Sequence, residues 1–255
     1  MPFDLITIPC LSDNYAYLLR DHDSDKVALI DVPEAAPILA ELKKRSWEVS
    51  QIWLTHHHPD HVQGVADVLK EHDANVIGAK ADEHRLPPLD RKVDEDDSIT
   101  LGALETRVIA VPGHTVGHVA FYVPTAKVVF TADSLMALGC GRLFEGTPEQ
   151  MWESLQKLMA LPEDTTICSG HEYTAANAKF ALTVDPENPD LILRAKNIAA
   201  ARARGAPTVP SQLSTELKTN PFLRPADPAI RATLGMQNAT NTEVFTEIRA
   251  RKDRF

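Results

Sequence analysis

Six consecutive residues in the first quarter of the chain carry an unusual density of metal-binding groups. Residues 56–61 read H-x-H-x-D-H, with imidazoles at His56, His58 and His61 and a carboxylate at Asp60. Imidazole nitrogens and carboxylate oxygens are the ligands that zinc and neighbouring divalent metals bind in proteins. This spacing predicts a metal centre, and metal-dependent hydrolysis is the chemistry it favours. His57, between the ligands, is expected to point away and to pack or support them.

Single histidines and an aspartate follow three further apolar segments. These segments, residues 108–111, 128–130 and 165–168, have the length and β-branching of buried strands. The same is true of residues 52–54, which precede the first motif. In chain order, the four segments are followed by the first motif, His114, Asp133 and His171. If these strands lie side by side and run the same way, the groups gather at one edge of one sheet, where α/β proteins bind ligands.

Four other segments carry helix or loop signals. Residues 61–72 have apolar residues at the spacing of one helix face. Residues 147–150 combine a threonine N-cap, a proline at N1 and a glutamine at N3, which predicts a helix start. Residues 188–205 open on Asn-Pro and end on Gly, which predicts another helix. The proline-rich residues 206–228 predict an extended connection on the surface.

Composition limits the class of function. The chain has 255 residues, 44% of them hydrophobic, enough for a large core. A net charge of −10 disfavours binding to a nucleic-acid backbone, which needs a basic surface. No apolar stretch is long enough to span a bilayer, and the start of the chain lacks the pattern of a secretion signal. We therefore expect a cytoplasmic enzyme that acts on a small molecule, with neither nucleic acid nor membrane as partner.

The chain resembles the metallo-β-lactamase superfamily and, within it, the glyoxalase II or hydroxyacylglutathione hydrolase family. The first motif alone identifies only the superfamily. The resemblance runs nearly end to end and rests on residues 55–61, 112–115, the segment around Asp133, and residues 139–146, 170–174, 220–222 and 249–253. It implies an α/β, four-layer αββα sandwich of two mixed sheets over residues 1–170 and a helical substrate-binding domain over residues 171–255.

The resemblance also implies which residues hold metal. His56, His58 and His114 would hold one ion, Asp60, His61 and His171 the other, and Asp133 would bridge the pair. Two ions that share a carboxylate bring the pKa of a shared water down to about 7, which provides a nucleophile at neutral pH. Asp60 would accept a hydrogen bond from that nucleophile. A ligand set of imidazoles and carboxylates without thiolate suits zinc, but also iron or manganese.

The implied reaction is hydrolysis of S-D-lactoylglutathione to glutathione and D-lactate, the second step of methylglyoxal detoxification. A departing thiolate, with a pKa of about 8.5, needs little help from a general acid. Glutathione carries two carboxylates, so its pocket needs local cations. By resemblance Arg249 and Lys252 bind the glycine carboxylate, with Tyr173, Arg142 and Phe144 flanking the tripeptide. Many relatives have lysine and tyrosine where this chain has Arg142 and Phe144, so those two contacts are expected to differ.

Other functions of this fold fit the residues less well. A persulfide dioxygenase shares most of the first motif, and a lactonase is chemically possible. A secreted β-lactamase would need an export signal and usually has a cysteine in place of Asp133. A nuclease would need a basic groove. A closed structural zinc site is typically rich in cysteine, whereas this chain has three widely spaced cysteines. We expect a monomer that binds the glutathione thioester.

Overall fold

The computed structural model describes residues 3–255. Met1 and Pro2, which entered the argument about a secretion signal, lie outside the described residues. The chain divides into two compact units: the first runs through Ala110 and adds Val116–Ala132, and the second holds Val111–Thr115 and Asp133–Phe255. Within residues 3–255, no helix combines the length and apolarity that a membrane crossing requires.

The first unit begins with a six-stranded mixed sheet whose strands lie in sequence order. The strands are β1 (Phe3–Cys10), β2 (Asn14–Asp21), β3 (Val27–Ile30), β4 (Val49–Leu54), β5 (Asn75–Ala79) and β6 (Arg91–Val93). β1 to β3 pair antiparallel, and β3 to β6 pair parallel. Parallel pairing requires a crossover, which helix α1 (Ala35–Arg45) provides between β3 and β4. Two short helices, α2 (Pro59–Val62) and α3 (Val65–Val68), precede β5.

A second sheet in the same unit is antiparallel throughout. Its strands are β7 (Ser98–Leu101), β8 (Leu104–Ala110), β9 (Val119–Val123) and β10 (Val128–Ala132), in the order β10-β9-β8-β7.

Neighbouring side chains of β4 point to opposite faces of the first sheet and pack in different layers. Ile52 lies in one buried cluster with Ile38 and Leu42 of α1. Its neighbour Trp53 points the other way, and its ring lies 5.3 Å from that of Phe121 and 6.3 Å from that of Phe130 in the second sheet. Side chains that alternate along a strand thus bury one face of the first sheet under helix and the other under sheet. The expected α/β sandwich of two sheets is confirmed.

The second unit is mainly helical. Its helices are α4 (Pro148–Met159), α5 (Thr174–Val184), α6 (Pro189–Ala203), α7 (Leu213–Thr219), α8 (Pro228–Leu234) and α9 (Asn241–Arg254). Two short antiparallel pairs accompany them: β11 (Leu135–Met136) with β12 (Gly139–Cys140), and β13 (Thr166–Ser169) with β14 (Ser211–Gln212). The predicted starts of α4 and α6 are confirmed: Thr147 and Gln150 form a capping box, and the Asn188 side chain caps α6.

The expectation that the ligand-bearing strands lie side by side in one sheet is wrong. β4 belongs to the mixed sheet, whereas β8 and β10 belong to the antiparallel sheet, where β9 separates them. The apolar runs were read correctly as strands, but hydrophobic patterns do not show which strands pair.

The single helix expected over residues 61–72 is also wrong, since the chain forms α2 and α3 with a break at Gln63 and Gly64. Long-range hydrogen bonds take one carbonyl and one amide that a continuous helix would use. The His61 carbonyl accepts from Val32 N at 2.7 Å, and Gly64 N donates to the Val32 carbonyl at 3.0 Å. The break therefore follows from docking onto the segment after β3, which local periodicity does not show.

The surface connection expected over residues 206–228 instead contains β14, α7 and a 3-10 turn at Pro221–Leu223. Much of this segment is buried: Leu213, Glu216 and Phe222 are each at most 1% exposed. Glu216 is buried because Arg194, the Leu138 amide and Asn220 hydrogen-bond its carboxylate. Prolines at the ends of short elements were mistaken for a sign of an irregular segment.

Replacing Gly64 with alanine should destabilise the protein. A Cβ there would lie 2.9 Å from Val32 Cγ1 and 3.0 Å from two backbone atoms, which cannot move independently of the sheet. We expect a loss of about 1–3 kcal/mol in the free energy of unfolding, measured by urea denaturation.

Gly78→Ala is the matched control in the same unit. Its Cβ would lie 3.0 Å from the flexible ends of Leu86 and Leu89, which can rotate away. An equal loss in both variants would contradict the backbone explanation.

Candidate metal centre

One buried carboxylate organises the H-x-H-x-D-H segment. Asp31 follows β3 directly and is 3% exposed. Its oxygens accept hydrogen bonds from Thr55 N at 2.9 Å, Thr55 Oγ1 at 2.8 Å and His61 Nδ1 at 2.8 Å. Thr55 has one hydroxyl proton, which it donates to Asp31, so its oxygen accepts from His56 Nδ1 at 3.0 Å. Asp31 thus orients two of the predicted ligands, one directly and one through Thr55.

This network fixes the tautomers of His56 and His61. Both use Nδ1 as a donor, and a neutral imidazole that is protonated at Nδ1 carries its lone pair on Nε2. His56 Nε2 lies 3.2 Å from His58 Nδ1. Two nitrogens bound to one tetrahedral zinc at about 2.0–2.1 Å would lie about 3.3 Å apart. The separation between these imidazoles therefore fits a shared ion.

The other residues of the motif have distinct environments. Asp60 keeps 41% of its side chain exposed, and its Oδ2 lies 3.8 Å from His61 Nε2. His57 turns instead to the buried carboxylate of Asp82, with Nδ1 to Oδ2 at 3.0 Å. His118 stacks on the His56 ring at 4.6 Å. His57 and His118 thus support the motif from outside the predicted ligand set.

The second unit holds the other three predicted ligands around one oxygen atom. His114 Nε2 lies 3.4 Å and His171 Nε2 3.3 Å from Asp133 Oδ2. The side chains of all three are at most 8% exposed. His114 Nδ1 lies 2.8 Å from the Arg142 carbonyl, which can only accept. Its Nε2 lone pair therefore faces a carboxylate oxygen, and that contact is repulsive unless a cation or an added proton lies between the two atoms.

A glycine allows this close arrangement. A Cβ on Gly141 would lie 2.0 Å from the Asp133 carbonyl oxygen and 2.9 Å from His114 Nδ1. Because no side chain fits there, the backbone after β12 can approach both predicted ligands closely enough for the Arg142 carbonyl to hold His114. The donor types and spacing on both units fit divalent metal.

Two aromatic residues lie against predicted ligands of the second unit. The Tyr173 ring stacks on the His171 ring, with the ring centroids 4.6 Å apart and the ring planes 5° from parallel. Tyr173 is 40% exposed. Phe144 meets His114 edge-on at 5.3 Å and is 63% exposed. Each ring contacts a predicted metal-binding histidine and is partly exposed to solvent, so each can contact a bound molecule.

The three cations expected to recognise substrate differ in exposure. Arg249 is 5% exposed, donates to the Cys140 carbonyl at 2.8 Å and to Asp253 at 2.9 Å, and lies over the Phe222 ring. Lys252 Nζ lies 3.3 Å from the Ala176 carbonyl and against the rings of Phe180 and Phe255. Most of the Arg142 side chain, 65%, is exposed.

Burial lowers the pKa of Lys252 to about 8, and the positive charges of Arg249 and Arg142 act in the same direction. A lysine whose pKa is lowered by neighbouring cations lies in a locally positive environment. The Asp253 carboxylate, 2.9 Å from Arg249 and 3.9 Å from Arg142, acts on the Lys252 pKa in the opposite direction, so three cations share one carboxylate here.

The sequence analysis did not identify Asp31 and Thr55 as supporting residues. Asp31 had a usable signal, because it follows the apolar run Val27–Ile30 in the way that the predicted ligands follow theirs. Thr55 stands in the 55–61 motif, but its hydrogen bonds to Asp31 and His56 are shown only by the packing.

Comparison with known proteins identifies the fold family. Residues 12–171 match the model of the metallo-beta-lactamase superfamily. BLEG-1 B3 metallo-beta-lactamase has a similar structure, with a TM-score of 0.68 at 22% identity over 87% of this chain and 100% of that one. TTHA1623, solved in a di-iron-bound form, gives a TM-score of 0.63 at 26% identity over 86% of this chain and 100% of that one. The chain is a member of the metallo-β-lactamase superfamily.

The C-terminal part of the chain identifies the family within this superfamily. Residues 172–255 match the model of the hydroxyacylglutathione hydrolase C-terminus. A hydroxyacylglutathione hydrolase of Ruegeria pomeroyi is 63% identical over 255 residues, the full length of both chains. The chain belongs to the hydroxyacylglutathione hydrolase family, as its motifs predicted. The family fold and the His/Asp clusters together indicate a dinuclear metal site.

Replacing Asp31 with alanine should weaken metal binding about 10–100-fold, as is typical when the partner of a ligating histidine is removed. Without Asp31, His61 loses its acceptor and Thr55 no longer fixes the His56 tautomer. Competition with a chelating dye measures the dissociation constants.

Asp21→Ala is the matched control for this test. Asp21 is also a buried carboxylate at the end of a strand of the same sheet, bonded to Ser24 and to Ala103 N. It contacts none of the predicted ligands in its unit, so its loss should lower stability with metal affinity unchanged. Equal loss of affinity in both variants would contradict the role of Asp31.

Proposed function

We propose that this chain hydrolyses S-D-lactoylglutathione to glutathione and D-lactate with a pair of divalent metal ions. The observation that carries the proposal is the Asp133 oxygen with two imidazole nitrogens close to it, at 3.3 and 3.4 Å. A carboxylate so placed suits a ligand shared by two ions. The name of the full-length relatives, hydroxyacylglutathione hydrolase, supports the substrate class.

In this proposal His56, His58 and His114 would hold one ion, Asp60, His61 and His171 would hold the other, and Asp133 would be shared by both. The di-iron form of TTHA1623 supports a pair of ions on this fold. When bound, two such ions polarise a carbonyl and lower the pKa of a shared water. Zinc is the metal we expect from the donors, and iron and manganese suit them as well.

The residues of the chain then position the substrate and the charge. Asp60, half-exposed beside His61, accepts a hydrogen bond from the attacking water and orients its lone pair. The exposed faces of Tyr173 and Phe144 contact the thioester end of the tripeptide and exclude water from it. Since a thiolate leaves without much help from an acid, the absence of a designated proton donor from this set of roles agrees with a thioester substrate.

Recognition of glutathione is assigned to the three cations Arg142, Arg249 and Lys252. By resemblance Arg249 and Lys252 bind the glycine carboxylate, and Arg142 flanks the tripeptide. Because Arg249 is 5% exposed and donates to the Cys140 carbonyl, we propose that Lys252 makes the direct contact and that Arg249 adds positive charge beside it. Phe144 offers no hydroxyl, so its contribution to binding is apolar.

We also propose that residues 1–170 act as the catalytic domain and 171–255 as the substrate-binding domain. The two family models meet between residues 171 and 172, which supports this division. A monomeric state, zinc as the resident metal and a cytoplasmic location stay predictions.

The decisive assay compares three substrates on metal-loaded protein. We expect rapid cleavage of the thioester in S-D-lactoylglutathione, which is measured as loss of absorbance at the thioester band. Little turnover of nitrocefin or of glutathione persulfide is expected. Asp133→Ala should lose nearly all activity and most bound metal, measured by elemental analysis. Turnover of nitrocefin or the persulfide without thioester cleavage would refute the proposal.

The pH dependence of KM tests the role of Lys252. Because its pKa in the substrate-free protein is about 8, its charge is present below that pH and is lost above it. KM should therefore rise as the pH passes through about 8, with kcat little changed. Lys252→Ala should raise KM about tenfold at pH 7, the value of one charge-assisted contact.

Lys252→Arg is the matched control, since arginine stays protonated across this range. It should remove the rise of KM near pH 8. A wild-type KM that stays constant through pH 8, or a rise that persists in the arginine variant, would exclude Lys252 as the anion-binding group.

A further inference from the structure

The side-chain amide of Asn14 contacts Asp60 at two points. Asn14 Nδ2 lies 3.0 Å from the Asp60 main-chain carbonyl and 3.0 Å from Asp60 Oδ2. Asn14 is 4% exposed. It is the first residue of β2, where it pairs with Cys10 across the turn of the β1–β2 hairpin. A buried residue in a sheet therefore holds a half-exposed residue 46 positions away in the sequence.

The chemistry of the two partners fixes the orientation of the amide. A main-chain carbonyl and an ionised carboxylate can only accept hydrogen bonds. The NH2 group of Asn14, with its two protons, must therefore face Asp60 and donate one proton to each oxygen. No residue with only an acceptor can replace it, although aspartate has nearly the same shape.

Asp60 needs such support because its local structure is weak. It lies in α2, a helix of four residues, and 41% of its side chain is exposed. A short exposed side chain would otherwise sample several rotamers, each placing the carboxylate oxygens differently. The Asp60 carbonyl does not receive the helical bond from Gly64 N, which donates to the Val32 carbonyl instead, and Asn14 supplies a hydrogen bond to it.

We propose that Asn14 is a positioning residue for Asp60 that fixes the carboxylate for the metal ion assigned to Asp60 and His61. The inference rests on the proposed function, since it concerns one of the two ions of that site. Asn14 itself contacts no metal and no substrate in this role. It restricts both the backbone and the side chain of Asp60, so that the carboxylate is in place before the ion binds.

The first test measures metal binding directly. Asn14→Ala should weaken one of the two metal-binding steps about 10–100-fold and leave the other within a factor of about three, as measured by titration of the metal-free protein with Zn²⁺ and a competing chelator. Asn14→Asp keeps the shape but replaces the donor by a negative charge, so it should be at least as damaging. Tolerance of Asn14→Asp would show that shape rather than donation matters and would overturn the proposal.

Asn188→Ala is the matched control. Asn188 Nδ2 also donates to one carboxylate and one main-chain carbonyl, those of Asp185 at 2.8 Å and Lys218 at 3.0 Å, in the other unit. This variant loses the same kind of hydrogen bonds and should lose stability, with both metal affinities unchanged.

A double-mutant cycle separates positioning from a general structural effect. If Asn14 acts through Asp60, Asn14→Ala should have no further effect on metal affinity in protein that already carries Asp60→Ala. Additive losses would overturn the proposal. If Asn14→Ala does not fold, Asn14→Ser enters the same cycle, because serine is polar but too short to reach both oxygens.

The wild-type protein distinguishes the two levels of inference. If it binds fewer than two ions per chain or does not cleave the thioester, the proposed function fails. If it binds two ions and cleaves the thioester while Asn14→Ala binds both as tightly as wild type, only the role of Asn14 fails.

Discussion

The structure of this site depends on which nitrogen of each imidazole carries the proton. A histidine binds a metal only through a nitrogen that carries a lone pair, so the other nitrogen must hold the proton. His61 gives its Nδ1 proton to Asp31, His56 to Thr55, and His114 to the Arg142 carbonyl. Each acceptor lies in the segment after a different strand, β3, β4 or β12, and the fold brings these segments to the histidines.

Regular helix and ordinary side chains are absent at two positions where they would conflict with that arrangement. The helix that periodicity favours after the motif at residues 56–61 is broken where Gly64 N donates to the Val32 carbonyl, while Asn14 and Val32 N donate to the carbonyls of Asp60 and His61. Residue 141 is glycine because only a bare backbone can lie against both Asp133 and His114. In both places, tertiary hydrogen bonds outweigh the helical bonds or the side chain that would otherwise be favoured.

Sequence patterns predicted a set of candidate ligands but not the residues that support them. The H-x-H-x-D-H spacing, the residues that follow apolar runs and the capping signals at Thr147 and Asn188 are local patterns, and local patterns survive folding. The pairing of strands is not local, so β4 was expected beside β8 and β10. Likewise the buried position of Arg249 depends on the Cys140 carbonyl, 109 residues away, and a run of basic residues looks the same whether buried or exposed.

The same contacts link metal binding to stability. His114 donates its Nδ1 proton to the Arg142 carbonyl, so the lone pair of its Nε2 faces Asp133 Oδ2 at 3.4 Å. Burying electron-rich atoms against one another costs free energy that water would otherwise reduce, and a divalent ion reverses the sign of that interaction. An ion that binds only the folded chain stabilises it by mass action, in proportion to the logarithm of its concentration over its dissociation constant. Residues such as Asp31 therefore act twice: they fix the lone pairs for the metal, and they hold the ligands in an arrangement that the polypeptide alone does not favour.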